Sequence, residues 1–379
     1  MNLVLSEEHQ LLRATAAEFV RSKSSLKRIR ALRDSGDAAG FSRDLWHEMA
    51  GLGWAGIVVA EQHGGSGLEY SHLMVVMEEL GRALMPEPMI PTVLGSAALM
   101  LGGSSAQRRA LLPAVAKGET LLAVGYQEPA SRFDPRRVAT RAEKRSGGWT
   151  LRGEKHQVLG GPTADSIIVS ARTAGGEADA SGVTLFLVEA GARGVSSRRQ
   201  WLVDGRPSSI VRLDGVEVDP AAVVGEVDHG ADVLEPALDR ATAALSAEML
   251  GSMVAAFEMT LEFLKTRKQF GALIGTFQAL KHRAAMVYTE TELSRSAVMA
   301  ACGALDTEDA RARELVSLAK ARLSDAFVLT ANEAVQMHGG IGMTDEHDVG
   351  FFLKRARAAE MTFGDAAWHR RRYAELKGY

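Results

Sequence analysis

Two short stretches in the last third of this 379-residue chain carry side chains suited to holding an anion. The first is Arg267-Lys268-Gln269-Phe270-Gly271, followed by Phe277-Gln278. A guanidinium fork beside a glutamine amide at a turn can grip a phosphate or pyrophosphate. Its plainer reading is a basic helix end that compensates the helix dipole. The second, Gln336-Met337-His338-Gly339-Gly340-Ile341-Gly342, sets three glycines in four positions behind a glutamine. By default that is a helix C-cap, and it also permits close backbone approach by a ligand. The chain has no P-loop, no G-x-S-x-G elbow and no H-E-x-x-H. Its ten histidines are scattered. The Asp345-Glu346-His347-Asp348 run lacks the spacing of a closed metal site and reads as a solvated loop, so no metal is expected.

Composition narrows the classes further. Hydrophobic residues make up 46% and charged residues 24%, which suits a globular protein with a real core. The 44 basic and 47 acidic residues leave a charge of −3, so neither nucleic acid nor an anionic membrane is an expected partner. The single cysteine, Cys302, excludes intrachain disulfides and thiolate zinc sites and reads as a small core residue. The N-terminal MNLVLSEEHQLL lacks a basic region followed by an apolar one, and Glu248 interrupts the apolar stretch Ala241–Phe257. A cytoplasmic, non-membrane protein is the expectation.

The elements that must position the two stretches follow from periodicity. None of the ten prolines lies beyond Pro236, and apolar residues recur there at helical spacing, as in Leu245, Met249, Met253 and Phe257. Further long helices are expected over about 277–305 and 308–338, forming an antiparallel bundle. The first 120 residues read as shorter helices, with stripes Leu12/Ala16/Val20 and Leu73/Met77/Leu80/Leu84 and Ser71 as an N-cap. Between them, Leu121–Tyr126, Ile167–Val169, Val183–Val188 and Ile210–Leu213 read as strands, with turns at Gly147-Gly148 and Asp214-Gly215. The expected fold is α+β: an N-terminal helical domain over 1–120, a middle antiparallel β-barrel or sheet domain over 121–230, and a C-terminal four-helix bundle over 231–379.

In this order and at this spacing the motifs resemble the acyl-CoA dehydrogenase family. The resemblance also includes Glu7-Glu8-His9-Gln10, Gly64-Gly65-Ser66-Gly67, Glu78-Glu79-Leu80-Gly81, Glu128-Pro129 and Leu151-Arg152-Gly153-Glu154-Lys155. It implies an FAD enzyme acting on acyl-CoA thioesters, built as an oligomer and serving an electron-transfer acceptor protein. A carboxylate would remove the α-proton while hydride passes from Cβ to flavin N5. It further implies that Arg267, Gln269, Phe270, Ile274, Phe277, Gln336, Gly339 and Gly340 grip the adenine and pyrophosphate of a neighbouring subunit's FAD.

Where the family holds its own flavin ring, the chain departs from the pattern. The usual threonine and serine of T-E-P-G-x-G-S-D stand here as Gln127 and Phe133. The tryptophan and threonine of K-x-W-I-T-N stand as Gln157 and Leu159. The catalytic glutamate falls on Phe363, and the family's second base position falls on Ala241, beside Thr242. Asp365 replaces a flavin-contacting threonine, and in extended backbone it would share a face with Phe363. The backbone N–H of Phe363 still suits a thioester carbonyl.

These departures imply a base-lacking subunit that completes a partner's FAD site. They resemble the small subunits of bacterial heteromeric members of the family, pimeloyl-CoA dehydrogenase among them. The alternatives are a self-sufficient homo-oligomeric flavoenzyme with Asp365 as base, and a non-catalytic scaffold of the same fold. Glu78 and Glu79 read as a solvated helix face, Glu248 as a paired bundle residue, and Trp149 and Trp201 as core. The acyl chain is not legible in the sequence.

Overall fold

The computed structural model describes residues 4–379, so the first three residues of the N-terminal stretch read above lie outside it. The chain begins with α1 (Glu7–Lys23), α2 (Leu26–Ser35), α3 (Arg43–Gly51), α4 (Tyr70–Arg82), α5 (Met89–Gly102) and α6 (Ser105–Ala116). Then come β1 (Leu122–Gly125), β2 (Arg141–Arg145), β3 (Gly148–Leu159), β4 (Ser166–Arg172), β5 (Val183–Glu189), β6 (Val195–Trp201), β7 (Pro207–Val218) and β8 (Val223–Val224). Last are α7 (Gly230–Thr266), a small hairpin of β9 (Lys268–Gln269) and β10 (Ala272–Leu273), α8 (Gln278–Asp306), α9 (Ala312–His338), α10 (Val349–Met361) and α11 (Ala366–Leu376). The helical, β, helical order is the expected one. Pro236 lies inside α7, which starts before the proline-free tail.

By contact the chain forms two compact units: one gathers the residues up to Asp34, Tyr70–Met85 and Thr242–Tyr379, the other Ser35–Glu69 and Pro86–Ala241. In the first unit α8, α10 and α11 pack on α9, and α4 packs on α1 and α8. The α7 stripe Leu245, Met249, Met253 and Phe257 is buried. By length and a mean hydropathy of 1.2 this helix could cross a membrane, but 78% of its most apolar window is buried in the protein, as in a core helix.

Helices α4 and α7 approach through a reciprocal pair of glycines. A Cβ on Gly81 would come within 2.1 Å of the Glu248 carbonyl oxygen, and one on Gly251 within 1.8 Å of the Glu78 carbonyl oxygen. The Ser252 hydroxyl donates to the Gly81 carbonyl across the same crossing (2.8 Å). Two sequence expectations fail here. Ser71 is not the cap of α4, because the Asp306 carboxylate accepts from the Tyr70 and Ser71 N–H groups (2.6 and 3.1 Å). Glu78 and Glu79 are buried rather than solvated, Glu78 being gripped by Arg13 and Arg295. Glu248 is paired, its carboxylate accepting from the buried Arg355.

In the second unit the strands run in the order β6-β7-β3-β2-β4-β5-β8, with β1 on β4. Most neighbours are antiparallel as expected, but β1–β4 and β2–β4 are parallel. Trp149, Leu151, Val169, Phe186, Val211 and Leu213 lie in its apolar core. β2 and β6 escape an apolar-run reading because they are polar, edge-like sequences (RAEKR and VSSRRQW). Gly147 joins β2 to β3 as a turn, whereas Asp214-Gly215 is a bulge inside β7. Trp201 is 63% exposed, not core, with Arg199 stacked 3.8 Å from its ring centre.

The α4–α7 crossing yields a stability test. Glycine to alanine in a helix interior ordinarily gains about 1 kcal/mol. In Gly251→Ala the methyl meets a carbonyl oxygen, and overpacking costs about 1–3 kcal/mol. Net destabilisation is expected as a lower Tm, whereas Gly303→Ala at a half-buried position of α8, with nothing within 4 Å of its Cβ, should hold or raise Tm.

Candidate functional site

The Arg267 stretch is a tight hairpin at the end of α7. The Arg267 N–H donates to the Phe263 carbonyl and its own carbonyl accepts from Ile274 (both 2.9 Å). Phe270 and Gly271 connect the two strands with φ of 53° and 78°, the left-handed pair of a type I′ turn. Ile274 is buried with Leu264 and Met337 in one apolar cluster. The neighbouring His338 ring stacks 4.4 Å from Phe263. This small core brings together two stretches far apart in sequence.

Around it, Arg267, Gln269, Gln336, Gly339 and Gly340 are all exposed. Among the described residues the side chains of Arg267, Gln269 and Gln336 have no ion pair or hydrogen bond. A Cβ at Gly339 or Gly340 would meet nothing within 4 Å. A free guanidinium, two free amides and an open backbone are a donor set suited to a diphosphate. Phe270 is 93% exposed, with the Phe277 ring 6.2 Å away, and together they offer an apolar surface beside those donors. His338 donates from Nδ1 to the Ala334 carbonyl (2.7 Å), and burial and then His347 hold it below the usual imidazole range. The carboxylates of Asp345 and Asp348, read above as a solvated loop, are spent on Arg30 and Arg33 of α2.

In the second unit the exchanged positions converge at an irregularity of β3. The register with β7 shifts between Lys155 and Val158, and Gln157 there has a left-handed φ of 51°. The His156 N–H donates to the Gln127 carbonyl (2.8 Å), and the Gln157 N–H to the Gln200 side chain (3.1 Å). Gln127 in turn donates from Nε2 to the Arg132 carbonyl (3.2 Å), closing the loop that carries buried Phe133. Leu159 lies opposite Ser208 in the sheet.

Beneath this loop sits a buried ion pair that sequence reading passed over. Glu128 accepts from the Ala139 and Thr140 N–H groups (2.6 and 3.0 Å) and from Lys155, which also donates to Ser170 (3.0 Å). Burial alone would raise the Glu128 carboxyl, but the Lys155 charge and these hydrogen bonds hold it below its ordinary value. Burial pulls Lys155 down to about 8 against the pull of Glu128.

The Phe363 position closes the site residues. Phe363 is buried with φ 61°, and its N–H makes no hydrogen bond among the described residues. The extended stretch expected to bring Asp365 onto its face does not form. Left-handed Phe363 and Gly364 (φ 119°) break it, and Asp365 caps α11, accepting from the Trp368 N–H at 2.8 Å. Ala241 and Thr242 are buried without a carboxylate of their own.

The Glu128 pair predicts a loss of stability on breakage. Glu128→Gln leaves Lys155 buried without its counter-charge, a change costing about 3–5 kcal/mol, read as a lower urea midpoint. Because the folded carboxyl titrates below its unfolded value, the wild-type contribution is complete above that value. It is lost as pH falls through the folded one.

Models of the N-terminal, middle and C-terminal domains of acyl-CoA dehydrogenase match residues 6–119, 123–216 and 228–376. Mitochondrial isovaleryl-CoA dehydrogenase of Pongo abelii is 30% identical over 370 residues, covering 95% of this chain and 86% of that protein. Acyl-CoA dehydrogenase IpdE2 of Mycobacterium tuberculosis is 31% identical over 355 residues, 93% of this chain and 92% of that one. A chain of the ChsE4-ChsE5 complex from the same species superposes with a TM-score of 0.90 at 27% identity, covering 100% of this chain and 99% of its own length. With three domain models spanning its length and a donor set that suits a dinucleotide, the chain belongs to the acyl-CoA dehydrogenase family.

Proposed function

We propose that this chain is the base-lacking subunit of a heteromeric acyl-CoA dehydrogenase and completes the FAD site of a glutamate-bearing partner. As a family member it is an oxidoreductase acting on CH–CH groups with FAD as cofactor. One observation carries the finer assignment. Phe363, at the base position, offers an unpaired N–H but a side chain that cannot take a proton, and Asp365 is committed to a helix cap. The similarity to a chain of the ChsE4-ChsE5 complex supports assembly with a second subunit of the same fold.

When bound, FAD accepts hydride from the substrate's β-carbon. Arg267, Gln269 and Gln336 supply the donors for its diphosphate, and open Gly339 and Gly340 let it reach the backbone. Gln127, Phe133, Gln157 and Leu159 take the positions that hold the ring in relatives, with fewer hydrogen-bonding groups. The Phe363 N–H donates to a thioester carbonyl, where an unpaired buried donor finds its acceptor. In this chain's own pocket no side chain removes an α-proton; that step belongs to the partner's site, where a carboxylate would stand at the position of Phe363.

Purified alone, the chain is expected to hold less than one FAD and not to oxidise acyl-CoA. Stoichiometric FAD with turnover by the isolated chain would overturn the assignment. In the complete assembly, Arg267→Ala should weaken FAD retention about tenfold or more, since a hydrogen bond to a charged group is worth about 1.5–3 kcal/mol. Asp365→Asn preserves a good cap and should leave turnover of the assembly unchanged. A fall on the scale of a lost general base, about 10²–10⁴-fold, would instead make Asp365 that base.

A further inference from the structure

The Phe363 turn is held from beneath by a cation that neither its sequence motif nor its helix announces. Lys320, on α9, is fully buried. Its ammonium donates to the Ser324 hydroxyl (3.0 Å), the Glu360 carbonyl (3.0 Å) and the Gly364 carbonyl (2.7 Å). Glu360 lies in the last turn of α10, whose terminal carbonyls have no partner within the helix. Gly364 lies on the other side of Phe363. One buried cation therefore bridges the two flanks of the left-handed residue and satisfies a helix end that favours positive charge.

The turn needs such a bridge. A bulky residue at φ 61° is a strained conformation, costing about 1–3 kcal/mol, and persists only where its surroundings over-determine it. Gly364 is fixed from the outside too. A Cβ there would come within 2.6 Å of the Trp368 ring and 3.0 Å of His369 Nε2. Left without the clamp, the peptide between Thr362 and Phe363 can relax, and its N–H turns with it.

Resting on the role of the Phe363 N–H given above, we propose that Lys320 is a positioning residue for thioester recognition: it pins the strained turn so that this N–H stays aimed at the substrate carbonyl. Its charge state bears on the task. Burial pushes Lys320 down to about 7, opposed by the carboxylates of Glu360 on α10 and Asp365 in the turn. From α11, buried His369 faces it, held well below the usual imidazole range by burial, by the Lys320 charge and by Arg372. As pH rises through that value the ammonium becomes an amine, loses one of three donors and weakens the others.

The test compares hexanoyl-CoA with S-hexyl-CoA, a thioether without the carbonyl, by calorimetry on the FAD-loaded protein in the assembly in which it purifies. Wild type at pH 6 should prefer the thioester about tenfold, the 1.4 kcal/mol of one net hydrogen bond. In Lys320→Met the preference should fall toward unity while thioether binding stays within about twofold. A merely structural lysine would weaken both ligands alike, and that outcome overturns the proposal, as does a folded Lys320→Met with its preference intact. Should that variant not fold, wild type decides: the preference should decline between pH 6 and pH 8.5, and a flat profile overturns the proposal. A wild type with no preference at pH 6 removes the Phe363 role itself and Lys320's with it.

Discussion

A buried ammonium must find acceptors, and in this protein the acceptors fix the loop from Gln127 and the turn at Phe363. Leaving such a charge unpaired costs several kcal/mol, so the surrounding backbone cannot drift without a penalty. Lys155 meets this demand through Glu128 and Ser170, and Glu128 passes the constraint to the N–H groups of Ala139 and Thr140. The loop from Gln127 to Phe133 is thereby tied to the sheet. Lys320 meets it with two main-chain carbonyls and the Ser324 hydroxyl, and so constrains the turn at Phe363 directly. In each unit a lysine inside the core fixes the backbone of a loop or turn.

Two groups of residues have different chemistry. On one side stand exposed, unpartnered donors, Arg267, Gln269 and Gln336, beside glycines with open space around them. Such groups gain nothing from their own fold and are available to an anion. On the other side, positions to which the family resemblance assigns hydroxyls, an indole and a carboxylate hold Gln127, Phe133, Gln157, Leu159 and Phe363. Gln127 has turned its amide inward to close its own loop, and Gln157 is held through its backbone by Gln200. The first group has the donors that suit a diphosphate; the second has no carboxylate among these five side chains.

Much of this was legible in the sequence wherever a residue's role depends on near neighbours. The long amphipathic stripes of α7, α8 and α9 and the aliphatic strands β4 and β5 follow from periodicity. The Phe270-Gly271 turn and the glycines after α9 follow from local conformational rules. What escaped depends on partners distant in the chain. Asp306 capping α4 and Arg295 reaching Glu78 join residues more than two hundred positions apart. Lys320 occupies a core position among Val316, Leu323 and Phe327, where a charged residue is itself the signal, but its acceptors lie forty residues on. Asp365 failed for a local reason: the extended backbone assumed for it is broken by a left-handed phenylalanine, which sequence rules disfavour.

Left-handed backbone at non-glycine residues is where the fold departs most from local preference, and its placement is informative. Seven such residues occur among the described residues, and Gln157, Phe270 and Phe363 are candidate site positions, with Arg132 inside the loop from Gln127 to Phe133. A glycine at any of them would remove the strain. At Phe363 the ring is buried, and burying a phenylalanine contributes about 1.5–3 kcal/mol, enough to offset the strain but not to require it. The same ring could be buried from an ordinary β conformation. What the left-handed conformation alone provides is the direction of the peptide N–H, which no group among the described residues accepts. A turn that maintains a costly backbone, a buried cation beneath it and an unanswered donor above it is built around that donor, whether or not the side chain it carries can do chemistry.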